Sequence, residues 1–165
     1  MRPASAIFWS AVFLVIAPGT LAGYIPWAIT DWQLGRARPP LTALGGLLIG
    51  GGLALLLECF ARFALQGRGT PAPVAPPERL VVTGPYRRVR NPMYVAVVAI
   101  ILGQAALFAD VRLLVYALIV WLAFHAFVLL YEEPTLRRAF PEDYEAFTAA
   151  VPRWRPRLRP WRAPT

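Results

Sequence analysis

Not one of the 165 residues is a lysine, so all 17 basic residues are arginines, and only nine acidic residues oppose them. The single Cys59 excludes an internal disulfide, and it leaves the redox compartment unspecified. The single His125 excludes a histidine-based metal centre, because one Cys and scattered carboxylates lack ligand spacing around it. Charge is also missing from long stretches. The chain is 58% hydrophobic with a mean hydropathy of +0.50, too apolar for a soluble domain of this size. A net charge of +8 and a pI near 10.8 would fit a nucleic-acid module, but such modules do not carry long uncharged runs. An anionic membrane surface or an anionic ligand accounts for the balance better. No internal repeat is visible, and residues 1–165 read as one domain.

Four apolar segments approach the roughly 20 residues that cross a bilayer core: 7–29, 41–65, 93–109 and 113–131. The first is longer than the apolar part of a signal peptide and is read as a retained span, with kinks expected at Pro18-Gly19 and Pro26. Asp110-Val111-Arg112 makes a tight turn, so the third and fourth segments form a helical hairpin. With four spans, 13 arginines fall on the side of both termini and the second loop, against three on the other, with Arg62 near a helix end. The crowded side is expected to be cytoplasmic. The fold expected is therefore an all-α integral membrane protein with four transmembrane helices, a short C-terminal amphipathic helix and a Pro/Arg-rich tail. A bacterial inner membrane is its expected location.

Within the second span, LGGLLIGGGLA (Leu44–Ala54) is glycine-rich but follows no strand and opens no helix. It reads as close helix packing through small residues, not a phosphate loop. Glu58 and Arg62, at i,i+4 spacing with the acid first, read as an ion pair near the cytoplasmic boundary, with Glu58 lining a cavity as the alternative. His125 reads as a structural hydrogen-bonding group between helices or as a cavity-lining group, and it shares a face with Leu129, Glu132 and Glu133.

Two stretches have no helical period. Residues 67–92 are punctuated by prolines that forbid helix, and the tail VPRWRPRLRPW alternates arginine with tryptophan or leucine, a pattern suited to the headgroup zone. Pro141 can open a short helix with Glu142 and Asp143 in its first turn and an apolar stripe of Tyr144, Phe147 and Val151; this helix is expected to close over the site, with lying on the membrane as the alternative.

Polar residues concentrate in GPYRRVRNPMY (Gly84–Tyr94), which opens the third span, and YEEPTL (Tyr131–Leu136), which closes the fourth. An antiparallel hairpin brings these ends together, so Arg87, Arg88 and Arg90 should meet Glu132 and Glu133 at one mouth. Mutual pairing alone is a weak motive, since exposed ion pairs contribute only about 0–1 kcal/mol. A zwitterionic ligand would use both signs, an arginine fork against its carboxylate and a glutamate against its ammonium. Tyr86 and Tyr94 could add aromatic surface for adenine or a sulfonium. This chemistry permits S-adenosylmethionine without identifying it.

GPYRRVRNPMY, with the downstream EEPTL, FPEDYEAF and VPRW, resembles the isoprenylcysteine carboxyl methyltransferase and phospholipid methyltransferase superfamily of membrane enzymes. That superfamily's pattern runs G-P-Y-R-x-x-R-H-P-x-Y, E-E-x-x-L, F-G-x-x-Y and a V-P-R-type ending. The resemblance covers about Gly84–Trp154, and GRGTPAP with the following PP and LVV resembles a short bacterial branch, extending it back to Gly67. It implies S-adenosylmethionine bound at the cytoplasmic mouth by Gly84, Tyr86, Arg87, Arg90, Asn91, Pro92, Tyr94, Glu132, Glu133, Leu136 and Tyr144. Arg90, Asn91 and Glu132 are the implied catalytic positions, and no metal is implied. Three departures stand out: Asn91 replaces the pattern's histidine and cannot relay a proton as an imidazole would, Pro141 replaces its glycine, and Phe147 stands where a tyrosine is often seen.

The implied activity is methyl transfer to a lipophilic or membrane-embedded carboxylate, amine or thiol. An amine or thiol needs deprotonation, for which Glu58, His125 and Glu132 are candidates. A prenylated protein is disfavoured as acceptor, because the substrate-side helices of longer relatives have no counterpart. Two other readings stay open. Membrane sterol reductases, which use a nicotinamide cofactor, resemble the C-terminal region, and a non-catalytic scaffold gripping anionic lipid would also use arginines.

Overall fold

The computed structural model describes residues 3–33, 38–63, 65 and 80–162, with side chains from residue 8 onward. Arg2, Arg36, Arg68 and Arg79, and the 67–79 part of the expected cofactor loop, lie outside the described residues. All regular structure among the described residues is helical.

The first span is built from α1 (Pro3–Gly19), a π-turn (Thr20–Tyr24) and α2 (Ile25–Thr30). The irregular turn falls between the two expected kink sites, because Pro18 and Pro26 each lack the N–H that a regular ladder needs. Thr30 donates its hydroxyl to the Pro26 carbonyl, and α2 ends in a left-handed Asp31. Next, α3 (Pro39–Arg62) opens on two prolines, which the first helical turn tolerates. The hairpin follows as α4 (Pro92–Phe108) and α5 (Val111–Phe127), joined through left-handed Ala109 and Asp110. The Asp110 carboxylate accepts the Arg112 backbone N–H at 2.8 Å and so caps α5.

The last span differs from expectation. Its helix does not stop at Tyr131 but continues through a second π-turn (Val128–Glu132) into α6 (Glu133–Ala139), giving a continuous helical segment of 29 residues from Val111 to Ala139. The extra residue of the π-turn lets Pro134 fall in the first turn of α6, where its missing N–H leaves no gap. Three helical segments, Phe8–Thr30, Pro39–Arg62 and Val111–Ala139, are long and apolar enough to cross a membrane, and α4 is an apolar helix of 17 residues. Finally, α7 (Pro141–Ala150) begins at Pro141 with Glu142 and Asp143 in its first turn.

Helices α3 and α4 make the tightest contact. A Cβ on Gly45 would lie 2.7 Å from the Gly103 carbonyl oxygen, and one on Gly103 would lie 2.8 Å from the Gly45 carbonyl oxygen. The glycine run is therefore a packing surface, as its position inside an apolar helix predicts. Leu56, Phe60, Ala96, Val97, Ile100, Ile101, Ala117 and Val120 form the core between α3, α4 and α5. The first span closes this core with Phe13 stacked on Phe60. Two π-turn carbonyls add polar ties: Gln104 Nε2 donates to Ala22 and the Tyr116 hydroxyl to Leu21. Large apolar side chains such as Val15, Leu47, Ile119 and Leu130 face outward, as lipid contact requires. This packing fixes the root of α4 beside the end of α5, where the polar residues gather.

Candidate active site

The segment before α4 has little periodic structure, so its conformation rests on specific contacts. Gly84 adopts φ +54°, and a Cβ there would collide with the Arg62 guanidinium. Arg62 is held by Glu58 at 2.7 Å, the ion pair expected at the end of the second span. A short 3₁₀ turn (Gly84–Arg87) then tucks Tyr86 against Cys59, Val81 and the ring of Phe63. Burial pushes the Tyr86 phenol well above its ordinary range, so it stays neutral. These neighbours leave Tyr86 7% exposed. Pro92, fully buried, starts α4, and its fixed φ suits that first helical position.

The two ends of the hairpin meet. Arg90 Nη1 donates to Glu133 Oε1 at 3.0 Å, and the Tyr94 hydroxyl donates to Glu132 Oε2 at 2.7 Å. The Arg90 and Glu133 side chains are only 13% and 12% exposed, which removes them from the solvent screening that weakens surface pairs. The adjacent glutamates have different surroundings. Glu133 also receives a two-point fork from Arg153, Nε to Oε1 at 2.6 Å and Nη2 to Oε2 at 3.0 Å. Both its oxygens are engaged. Among the described residues Glu132 receives only the Tyr94 hydroxyl, which leaves most of its acceptor capacity unspent. On the opposite side of the balance, the Arg90 Nε–H is buried and finds no acceptor among the described residues. An unmet charged donor is costly to bury, so this atom marks a place for an acceptor.

The tail supplies what sequence reasoning did not assign. It runs back along the loop before α4. The Arg90 N–H donates to the Pro152 carbonyl, the Arg157 N–H to Arg88, and the Trp161 N–H to Arg87. Arg87 Nε donates back to the Trp161 carbonyl, so Arg87 belongs to this strap and not to the mouth. Asn91, at the histidine position of the superfamily pattern, is buried and donates to the Arg153 carbonyl at 3.2 Å. Trp154 Nε1 donates to His125 Nδ1 at 3.0 Å. Because an indole N–H can only donate, neutral His125 must carry its proton on Nε2. Trp154, Trp121, His125, Tyr94 and Phe124 form a continuous ring packing beside the glutamates. His125 thus makes a structural hydrogen bond, but to the tail and not between helices. The VPRW ending was the available signal, since it stands in the motif that carries the resemblance.

Helix α7 buries the expected stripe of Tyr144, Phe147 and Val151 against Leu80, Val82, Leu136, Phe140 and Trp161. Leu136 and Tyr144 therefore sit in this neighbouring apolar cluster. Burial pushes the Tyr144 phenol up to about 12, with Glu133 reinforcing and Arg90 opposing the shift. Of the positions singled out in the sequence, Arg90, Asn91, Pro92, Tyr94, Glu132 and Glu133 converge on the mouth, and the Tyr144 phenol reaches its Arg90 and Glu133 from the apolar cluster. Gly84 and Tyr86 face α3, and Arg87 faces the tail. Among the described residues there is no group of His, Cys, Asp and Glu able to hold a metal ion.

The family model for phospholipid methyltransferase matches residues 41–143, from the start of α3 into the first turn of α7. No curated protein and no solved structure matches the chain.

Proposed function

The chain belongs to the phospholipid methyltransferase family of membrane methyltransferases, and on that premise we propose that it is an S-adenosylmethionine-dependent enzyme acting on a lipophilic or membrane-embedded acceptor. In this reading all four apolar segments, α4 included, cross the bilayer, and both termini and the active site face the cytoplasm of a bacterial inner membrane. The single observation that carries the reading is the convergence of Arg90, Tyr94, Glu132 and Glu133 at the α4–α5 mouth.

The donor set fits the amino-acid end of the cofactor. Arg90 has a buried N–H without an acceptor among the described residues, which suits a carboxylate. Glu132 has spare acceptor capacity, which suits an ammonium or a ribose hydroxyl. When bound, S-adenosylmethionine supplies an electrophilic methyl group. The protein's part is to align the acceptor with that methyl and to exclude water. The ring packing of Tyr94, Phe124, Trp121 and Trp154 is suited to exclusion.

The candidates for proton removal narrow in this reading. Glu58 is neutralised by Arg62, and the Nδ1 lone pair of His125 is taken by Trp154. Glu132 remains, and it would take the proton of an amine or thiol acceptor; a carboxylate acceptor needs no base. Asn91 takes no part in proton transfer, and its amide instead holds the backbone of the tail.

The test is methyl transfer by the full-length chain in nanodiscs, supplied with labelled S-adenosylmethionine and a panel of lipids, lipophilic amines, thiols and carboxylates. Label appearing in one acceptor class is the expected result. Oxidation of NADPH by the same preparation, with no labelled product, would move the assignment to a reductase. Neither activity, with Glu132→Gln harmless to function in the membrane, would leave a scaffold.

A further inference from the structure

Arg153 lies ten residues beyond the stretch matched by the family model, in a tail whose composition alone suggests a membrane-surface segment. Its guanidinium nevertheless takes both oxygens of Glu133, at 2.6 and 3.0 Å, and it is the only group among the described residues to do so. Glu133 in turn holds Arg90 through Nη1, and the Nε edge of Arg90 has no acceptor among the described residues. A carboxylate with a single arginine partner can swing between rotamers. One held by a fork from one side and by a second arginine from the other cannot move without breaking charged hydrogen bonds.

We propose that Arg153 is a positioning residue of the cofactor site: it fixes Glu133, Glu133 fixes Arg90, and the C-terminal strap is thereby a working part of the active site. The inference rests on the cofactor reading above. It also divides labour between the paired glutamates. Glu133 is a brace saturated by protein donors, and Glu132 is the carboxylate left to meet a ligand.

The strap offers a way to test this without dislodging it. Its backbone bonds run from Arg90 to Pro152, Arg157 to Arg88 and Trp161 to Arg87, and Asn91 holds the Arg153 carbonyl. None of these uses the Arg153 side chain, so Arg153→Gln should leave the tail docked. Arg155, two residues on, is exposed and serves as a control with the same charge change.

The experiment measures S-adenosylhomocysteine binding by calorimetry for the full-length chain in nanodiscs. Arg153→Gln should weaken binding by about tenfold or more, the range that loss of a charged hydrogen bond gives. Arg155→Gln should bind within about twofold of the native chain, since rim charges contribute little. The route through Glu133 is tested by a cycle. In a Glu133→Asp background, where the carboxylate is drawn back by one methylene, Arg153→Gln should cost much less than it does alone. Native-like binding by Arg153→Gln, an equal loss in Arg155→Gln, or full additivity in the cycle would each overturn the positioning role. A native chain that gives no heat would instead overturn the cofactor reading on which the inference stands.

Discussion

Glutamates 132 and 133 are neighbours in sequence, yet their replacement by glutamine should have opposite consequences for stability. Glu133 joins two guanidiniums whose side chains are 13% and 30% exposed, and it is itself only 12% exposed. Glu133→Gln leaves one largely buried and one half-buried positive charge facing a neutral amide. Removing one partner from a buried ionic group costs about 3–5 kcal/mol, and because Arg153 can turn partly to water we expect the lower end, about 3 kcal/mol. For a chain of this length about 3 kcal/mol corresponds to a fall in Tm of roughly 6–12 °C. Glu132 accepts one hydrogen bond from the neutral Tyr94 hydroxyl, and an amide oxygen can accept the same bond. Glu132→Gln also removes a poorly compensated, partly buried charge, so its Tm should match or exceed the native value. Binding should separate the two the other way: Glu132→Gln should lose S-adenosylhomocysteine while keeping its fold. Thermal unfolding in nanodiscs, followed by helical circular dichroism, gives the first measurement and calorimetry the second. If Glu132→Gln unfolds as readily as Glu133→Gln, the division between brace and ligand carboxylate is wrong.

Gly103→Ala would bring a Cβ to 2.7 Å from Ile49 Cγ1 and 2.9 Å from the Ile49 nitrogen, so it should destabilise by about 1–3 kcal/mol. Gly46→Ala and Gly50→Ala meet no atom within 4 Å and should leave the Tm unchanged or raise it, in line with the helix preference of alanine. The sole histidine should show the Nε2–H tautomer by ¹⁵N NMR, and Trp154→Phe, which removes the indole donor, should allow the Nδ1–H form to appear. At Asp110, hydrogen bonding from Arg112 holds the carboxyl below its ordinary value. Its contribution is therefore present above the unfolded carboxyl value and lost as pH falls through the lower folded one. The stability gap between native and Asp110→Asn should accordingly shrink below about pH 4, as urea or SDS titration at several pH values will show.

The polar mouth was legible because it follows from local facts. Charged clusters at both outer ends of a tight apolar hairpin must meet, and they do so through Arg90, Tyr94, Glu132 and Glu133. The Tyr144, Phe147 and Val151 stripe was legible for a similar reason, since helical spacing after Pro141 puts them on one face. Two features escaped. The fourth helix reads as ending at the glutamates, because charge and Pro134 look like a stop, whereas a π-turn absorbs the proline and carries the helix to Ala139. The strap escaped because alternating arginine, tryptophan and proline carries no period. Its partners lie far away in sequence, Arg90 62 residues before Pro152 and His125 29 before Trp154. Composition could place Arg153 and Trp154 near headgroups; only tertiary structure brings them to Glu133 and His125.

The central claim is that the α4–α5 mouth holds a zwitterionic methyl donor between Arg90 and Glu132. Its most direct test is titration of the purified native chain and of Arg90→Gln with S-adenosylhomocysteine at equilibrium. Saturable binding by the native chain that is lost in Arg90→Gln is the predicted outcome. Undiminished binding by Arg90→Gln would contradict it.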